Sequence, residues 1–208
     1  MADRASLEPQ HLIETARLAQ EVLRSAAGRD WGVKAARLDW DCRTTLDHMV
    51  NAPIFHATNL AMRSTERIPG VRAGNPHASV PELIAALEPS ATILARIVAE
   101  AGPEVRGFHP TGRADAQGFA ALSMNELLLH TYDIAEGLGL SFSPPSELPD
   151  LVVRRLFPWA AGEAEPWPAL LWAGGRIELP GKPDMGGRWA GHPAPLSEWD
   201  GHTIPMRT

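Results

Sequence analysis

"MNELLLHTYDIAEGLG", Met124 to Gly139, has the spacing of a buried helix, yet three ionisable residues stand where its core should be. At about 100° per residue, Phe119, Leu122, Leu127, Leu129, Ile134 and Leu138 make one apolar face. Glu126, His130 and Asp133 fall on the middle of that face, within roughly 60° of one another. An unpaired charge in such a place costs enough that the group would sooner neutralise. Each of the three needs a compensating partner.

Working outward, four stretches carry helical signals. Residues 9–27 place Leu12, Ile13, Ala16, Ala19, Leu23 and Ala26 near helical spacing, with Gly28 behind them. A second helix starts in "WDCRTTLDHMV", where Asp41 is a good N-cap, and continues to about residue 65. The third, "VPELIAALEPSATILARIVAEAG", has Pro81 in its first turn, ends at Gly102 and is expected to kink at Pro89. The fourth is the opening stretch, from near Ala116 to Gly137 or Gly139. Long loops, "RDWGVKAARLD", "ERIPGVRAGNPHAS" and "PEVRGFHPTGRAD", connect them, and loops of that size often wall a binding site. The expected fold is all-α, a four-helix bundle over residues 1–141.

From about residue 142 the composition changes. A linker, "SFSPPSELPD", leads into a short fifth helix, "LPDLVVRRLFPWA", and "EPWPALLWAGG" follows with one more helical turn or two. Five tryptophans, Trp159, Trp167, Trp172, Trp189 and Trp199, lie in this stretch among dense Pro and Gly. An aromatic extension over residues 142–208, wrapped onto the bundle, is expected.

Composition narrows the classes of function. A formal net charge of -6 over 208 residues, with no basic run to meet phosphates, argues against a nucleic-acid partner. No apolar stretch approaches the ~20 residues of a membrane span. "MADRASLEPQ" lacks the apolar region of a signal peptide, and the single cysteine makes no internal disulfide. A reducing cytoplasm is therefore the expected location.

Glu126 and His130 are four residues apart, so on a helix they stack on adjacent turns and can address one ion. His48, in "TTLDHMVNAPIFHA", is a candidate third ligand from the second helix. Two imidazoles and a carboxylate hold a divalent metal and leave positions open for another ligand. The wheel alone does not select His48. It lies about 200° from Leu46, off the Leu46–Met49–Val50–Ile54 stripe, on a second partly apolar side with Ala52, Phe55, Asn59 and Met62.

The set of motifs "LDWDCRTTLDHMVNAPIFHATNLA" and, far downstream, "MNELLLHTYDIAEGLG" resembles the mycothiol-dependent maleylpyruvate isomerase family, within the DinB-like superfamily. The resemblance covers roughly residues 8–140 and rests on Trp40, His48, Glu126, His130 and Asp133. It implies a DinB-like bundle with a metal triad of His48, Glu126 and His130, zinc the usual ion, and mycothiol or a similar small thiol as cofactor. "PALLWAGGRIELPG" also looks like tails of relatives in this group. The isomerase itself is expected to carry a separate C-terminal α/β domain, for which the extension here is too short and too rich in Pro and Gly. That departure speaks against maleylpyruvate isomerisation itself.

Other residues carry weaker expectations. Asp133 is a carboxylate orienting a metal-bound histidine, a pocket-lining group or a partner for a neighbouring loop, with direct ligation disfavoured. His56 lies two turns beyond His48, lining a pocket or on the surface, and His77, His109, His192 and His202 have no site spacing. Cys42 stands in the first turn of helix two, where the dipole can lower a thiol pKa, but a small buried thiol is the simpler reading. Arg106 and Arg113 are loop arginines, solvated unless an anionic substrate reaches them.

Two functions follow. One is a thiol-dependent transferase or isomerase, its partners a small-molecule thiol and an electrophilic substrate. The other is a catalytically inactive, DinB-like metal-binding or stress-related binding protein. Self-association as a homodimer is left open.

Overall fold

A computed structural model describes residues 6–68, 74–186 and 191–201. Among these residues the chain forms six α-helices and two short 3-10 turns, with no named strand. The protein is all-α. No helix among them is long and apolar enough to cross a membrane.

Local signals set the helix ends. Helix α1 (Pro9–Arg24) opens on Pro9 and a reciprocal cap between Glu8 and His11. Helix α2 (Cys42–Ala61) is capped by Asp41, which accepts from the Thr44 N–H at 2.6 Å. Such a cap contributes about 1 kcal/mol. Helix α3 (Val80–Glu100) starts at a capping box of Ser79 and Glu82 and runs through Pro89, which is exposed. Helix α4 (Ala116–Leu138) starts on Asp115 and stops at Gly139, whose φ of 65° is the left-handed turn that glycine adopts without strain. Helix α2 ends four residues before the expected end near residue 65. Arg63 turns left-handed at φ 49°, and Ser64 takes the Asn59 carbonyl at 3.1 Å.

Helices α1 and α2 each pack on both α3 and α4. Helix α5 (Glu147–Leu156) then lies on α4, and α6 (Pro166–Ala173) lies on α5. This arrangement corrects the reading of α4 as a helix with one apolar face. Ala120, Ala121, Met124, Leu128 and Ala135 are buried as fully as the residues of the expected stripe. The reason is α5, whose Leu148, Leu151, Val152 and Leu156 cover the side of α4 that the other long helices leave open.

Beyond α6 the chain to Gly186 is irregular and tied down by aromatic groups. Trp172 is buried and donates its indole N–H to the Pro183 carbonyl at 2.9 Å. Trp167 packs edge-on to Tyr132 and Phe142, with ring centroids 5.9 and 5.6 Å away, and Trp159 packs likewise on Phe157. Trp199 is partly buried, while Trp189 lies outside the described residues. Buried Arg155 pairs with Asp115 and donates to the carbonyls of His192 and Pro193, which ties the last described segment to the start of α4.

One continuous apolar core runs from Leu7 to Met185, so the extension shares the core of the long helices. Each large side chain buried there contributes roughly 1.5–3 kcal/mol. Truncation after Leu140 is therefore expected to expose α4 and give an aggregating or strongly destabilised chain. Thermal melting and gel filtration check this; a truncated monomer that melts like the full chain would show the extension to be a loose appendage.

Candidate metal centre

Helix α2 brings His48, and α4 brings Glu126 and His130, to one point. The Nε2 atoms of His48 and His130 lie 2.6 and 3.1 Å from the same oxygen, Oε2 of Glu126. One ligand atom from each residue lies within 4.8 Å of the other two. Among the described residues no other group of three His, Cys, Asp or Glu side chains converges in this way. His48 reaches the cluster although its wheel position did not favour it. The cause is that α2 is packed on two sides, against α3 and α4.

Asp133 stands behind His130 and outside the triad. Its Oδ2 accepts from Nδ1–H of His130 at 2.9 Å, which leaves Nε2 aimed at Glu126. Asp133 is only 2% exposed, and its charge is answered by Arg176, from the chain after α6. Arg176 donates Nη2–H to Oδ2 at 2.7 Å and Nε–H to Oδ1 at 3.2 Å. Of the roles open to Asp133, the loop partner is observed in its pair with Arg176 and the pocket-lining group in its place on the wall of the adjoining cavity, while its other contact is to the His130 ring. Arg176 was not among the candidate residues.

Trp40 closes the outer side. The loop before α2 folds back on itself, with Ala35 N–H donating to the Trp40 carbonyl and Cys42 N–H to the Val33 carbonyl. That turn holds the Trp40 ring 5.1 Å from His48 and 6.4 Å from His130, centroid to centroid. Trp40 remains 42% exposed, so it is a wall at the mouth of the site and not a core residue. On the other side of Asp133 lies a cavity of about 990 Å³, lined by Lys34, Arg37, Tyr132, Glu136, Arg176 and Glu178 among others.

The charges support one another. Burial by itself would raise the Glu126 carboxyl, but the charge of His48 and hydrogen bonds from both imidazoles outweigh it and hold Glu126 well below the usual carboxylate range. Burial likewise works against a charged His130, yet hydrogen bonds to Asp133 and Glu126 raise its pKa. Asp133 is lowered against its own burial by hydrogen bonds from His130 and Arg176. Ionised carboxylates only accept, so hydrogen bonds from His130 to both Glu126 and Asp133 require protons on both ring nitrogens.

No protein-family model, curated protein or solved structure matches the chain. The functional reading therefore rests on the residues of the site.

The remaining candidates fall elsewhere. His56 is not a surface group; it is buried, 2.6 Å from Ser123 Oγ, with the rings of His109 and Phe119 tilted against it at 5.4 Å. Burial makes that position dependent on a polar partner on α4, which the spacing within α2 does not reveal. His192 contacts the Pro195 carbonyl, His77 is exposed, and His202 lies outside the described residues. Arg106 is turned to the Pro103 carbonyl and to Glu198, and Arg113 to the Arg106 carbonyl. Cys42 is fully buried, and burial together with Asp41 and Asp30 pushes its thiol from 9.0 to about 11. It is an unreactive core thiol, and the dipole does not prevail.

The pH dependence of the cluster has a definite sign. The raised pKa of His130 gives stability that is full below its ordinary 6.5 and is lost as pH rises through the raised value. The depressed pKa of Glu126 gives stability that is present above its ordinary 4.5 and is lost as pH falls through the depressed value. In chelator-stripped protein, the melting-temperature difference between wild type and Glu126→Gln is expected to peak between these two ordinary values and to shrink on both sides. A difference that is flat from pH 4 to 9 would contradict the coupling.

Proposed function

We propose that His48, Glu126 and His130 hold a divalent metal, zinc by the pattern of the family they resemble, in a DinB-like four-helix bundle. We further propose that the protein is a thiol-dependent transferase or isomerase acting on a small electrophile. The observation that carries this reading is the convergence of two imidazole Nε2 atoms and one carboxylate, from two helices, beside a cavity. Two nitrogens and an oxygen suit zinc and leave room for a further ligand.

A divalent ion there supplies Lewis acidity that favours thiolate over thiol near neutral pH. The chain supplies the rest. Asp133 keeps the proton of His130 on Nδ1, so that Nε2 is presented to the triad. Trp40 shields the imidazoles from bulk water on the open side. The cavity beyond Asp133 has room for the body of a small thiol, with Lys34, Arg37 and Glu178 available to its polar groups. The buried, high-pKa Cys42 does not serve as the nucleophile, so the thiol comes from outside the chain.

Protein purified without chelator and without a histidine tag is expected to carry close to one divalent ion per chain. Alanine at His48, Glu126 or His130 is expected to abolish it. Loaded protein should bind mycothiol or a simpler analogue in calorimetry and conjugate model electrophiles, while stripped protein and Glu126→Ala should do neither. Full occupancy in the Glu126→Ala and His130→Ala variants would sink the triad. Metal binding without thiol binding or turnover across a broad electrophile panel would favour the non-catalytic binding protein.

A further inference from the structure

We propose that Arg176 is a positioning residue for the metal centre, so that the metal affinity of the α2–α4 triad depends on the C-terminal extension. The inference rests on the metal reading above. It concerns a residue of the extension, outside the long helices that supply the triad, which touches none of the three ligands through any hydrogen bond described.

The geometry makes a relay of three links. His130 donates from Nδ1 to Asp133 Oδ2 at 2.9 Å. Arg176 grips both oxygens of that carboxylate, Nε to Oδ1 at 3.2 Å and Nη2 to Oδ2 at 2.7 Å. A two-point contact of this kind fixes the plane of the carboxylate and not only its distance. The guanidinium is itself held, since Nη1 donates to the Gly174 carbonyl at 2.7 Å. Gly174 in turn lies close against α4: a Cβ there would meet Leu129 Cδ1 at 2.5 Å. Close approach of the chain after α6 to α4 is thus what delivers Arg176 to Asp133.

Without Arg176, Asp133 would be a nearly sealed carboxylate with His130 as its only hydrogen-bonded partner among the contacts described. A buried carboxylate that loses its two-point partner is free to rotate and turn toward water. That rotation releases the ring of His130 from a fixed orientation. Groups that orient metal-bound histidines typically matter by about 10–100-fold in metal affinity. The expectation is that Arg176 acts at that scale from outside the ligand set.

The test compares wild type, Arg176→Met, Arg176→Lys and the near-isosteric Asp133→Asn. Zinc affinity is measured by chelator competition, and folding of the stripped protein by thermal melting. Arg176→Met and Asp133→Asn are expected to weaken zinc about 10–100-fold while remaining folded, and Arg176→Lys to recover part of the loss. A second readout needs no metal. The His130 Nδ1–H, sheltered in its bond to Asp133, should give an imidazole N–H resonance that persists in wild type and Arg176→Lys and is lost to exchange in Arg176→Met. If Arg176→Met does not fold, Asp133→Asn and Arg176→Lys carry both comparisons. Unchanged zinc affinity together with an unchanged resonance overturns the proposal. Should wild type bind no divalent ion while the resonance still depends on Arg176, the metal reading fails and the positioning role stands.

Discussion

The arrangement depends on one oxygen. Oε2 of Glu126 faces Nε2 of His48 and Nε2 of His130, and it does so inside a helix that is packed on nearly every side. A carboxylate is placed there at a desolvation cost, and two imidazoles at hydrogen-bonding distance are what offset it. The same contact fixes the register of α2 against α4, because a slip of one turn would carry His48 about 5.4 Å away and leave Glu126 with half its compensation. The polar cluster and the helix packing therefore specify each other.

The cluster extends further than its three members. His130 passes its second nitrogen to Asp133, and Asp133 passes its charge to Arg176. Each group is buried or nearly so, and each finds its partner on the next element: α2, α4, then the chain after α6. Networks of this kind are favourable only when every member is satisfied. This explains why the extension shares one core with the long helices. Its aromatic packing brings Gly174 against Leu129, and the arginine two residues later completes the electrostatics of α4.

Much of this was legible along the chain. The cap at Asp41, the prolines at the starts of α1 and α3 and the glycine after α4 have local causes, and those helices begin or end where these residues place them. Glu126 and His130 stood out because charge on an apolar stripe is a local anomaly. What was not legible depended on contacts between elements. His48 looked misplaced because a single-face wheel assumes one neighbour, whereas α2 has two. The one-face reading of α4 failed for the same reason, with α5 as the unforeseen neighbour. Arg176 carried no signal, since an arginine in a Pro/Gly-rich stretch is ordinarily solvated; only the fold shows that it meets a buried carboxylate 43 residues upstream. Cys42 was legible as well: a small buried thiol was the simpler reading, and burial beside two carboxylates raises its pKa against the helix dipole.

These differences bear on how the site is read. Two features found together separate a structural polar cluster from a functional one. The first is that two imidazoles and a carboxylate, one ligand atom of each within 4.8 Å of the others, meet at one spot, although a purely structural network needs each group only to find a partner. Here His130 already meets Glu126 within α4, and His48 brings a second imidazole from α2 to the same oxygen. The second is access. A structural cluster gains nothing from an opening, yet here the Glu126 side chain keeps 22% of its surface exposed and the tryptophan beside it is itself partly exposed. Convergence without access describes a core, and access without convergence describes a surface cleft. Their coincidence at Glu126, with His130 held from behind by Asp133 and Arg176, is the physical reason for proposing a metal site at the middle of α4.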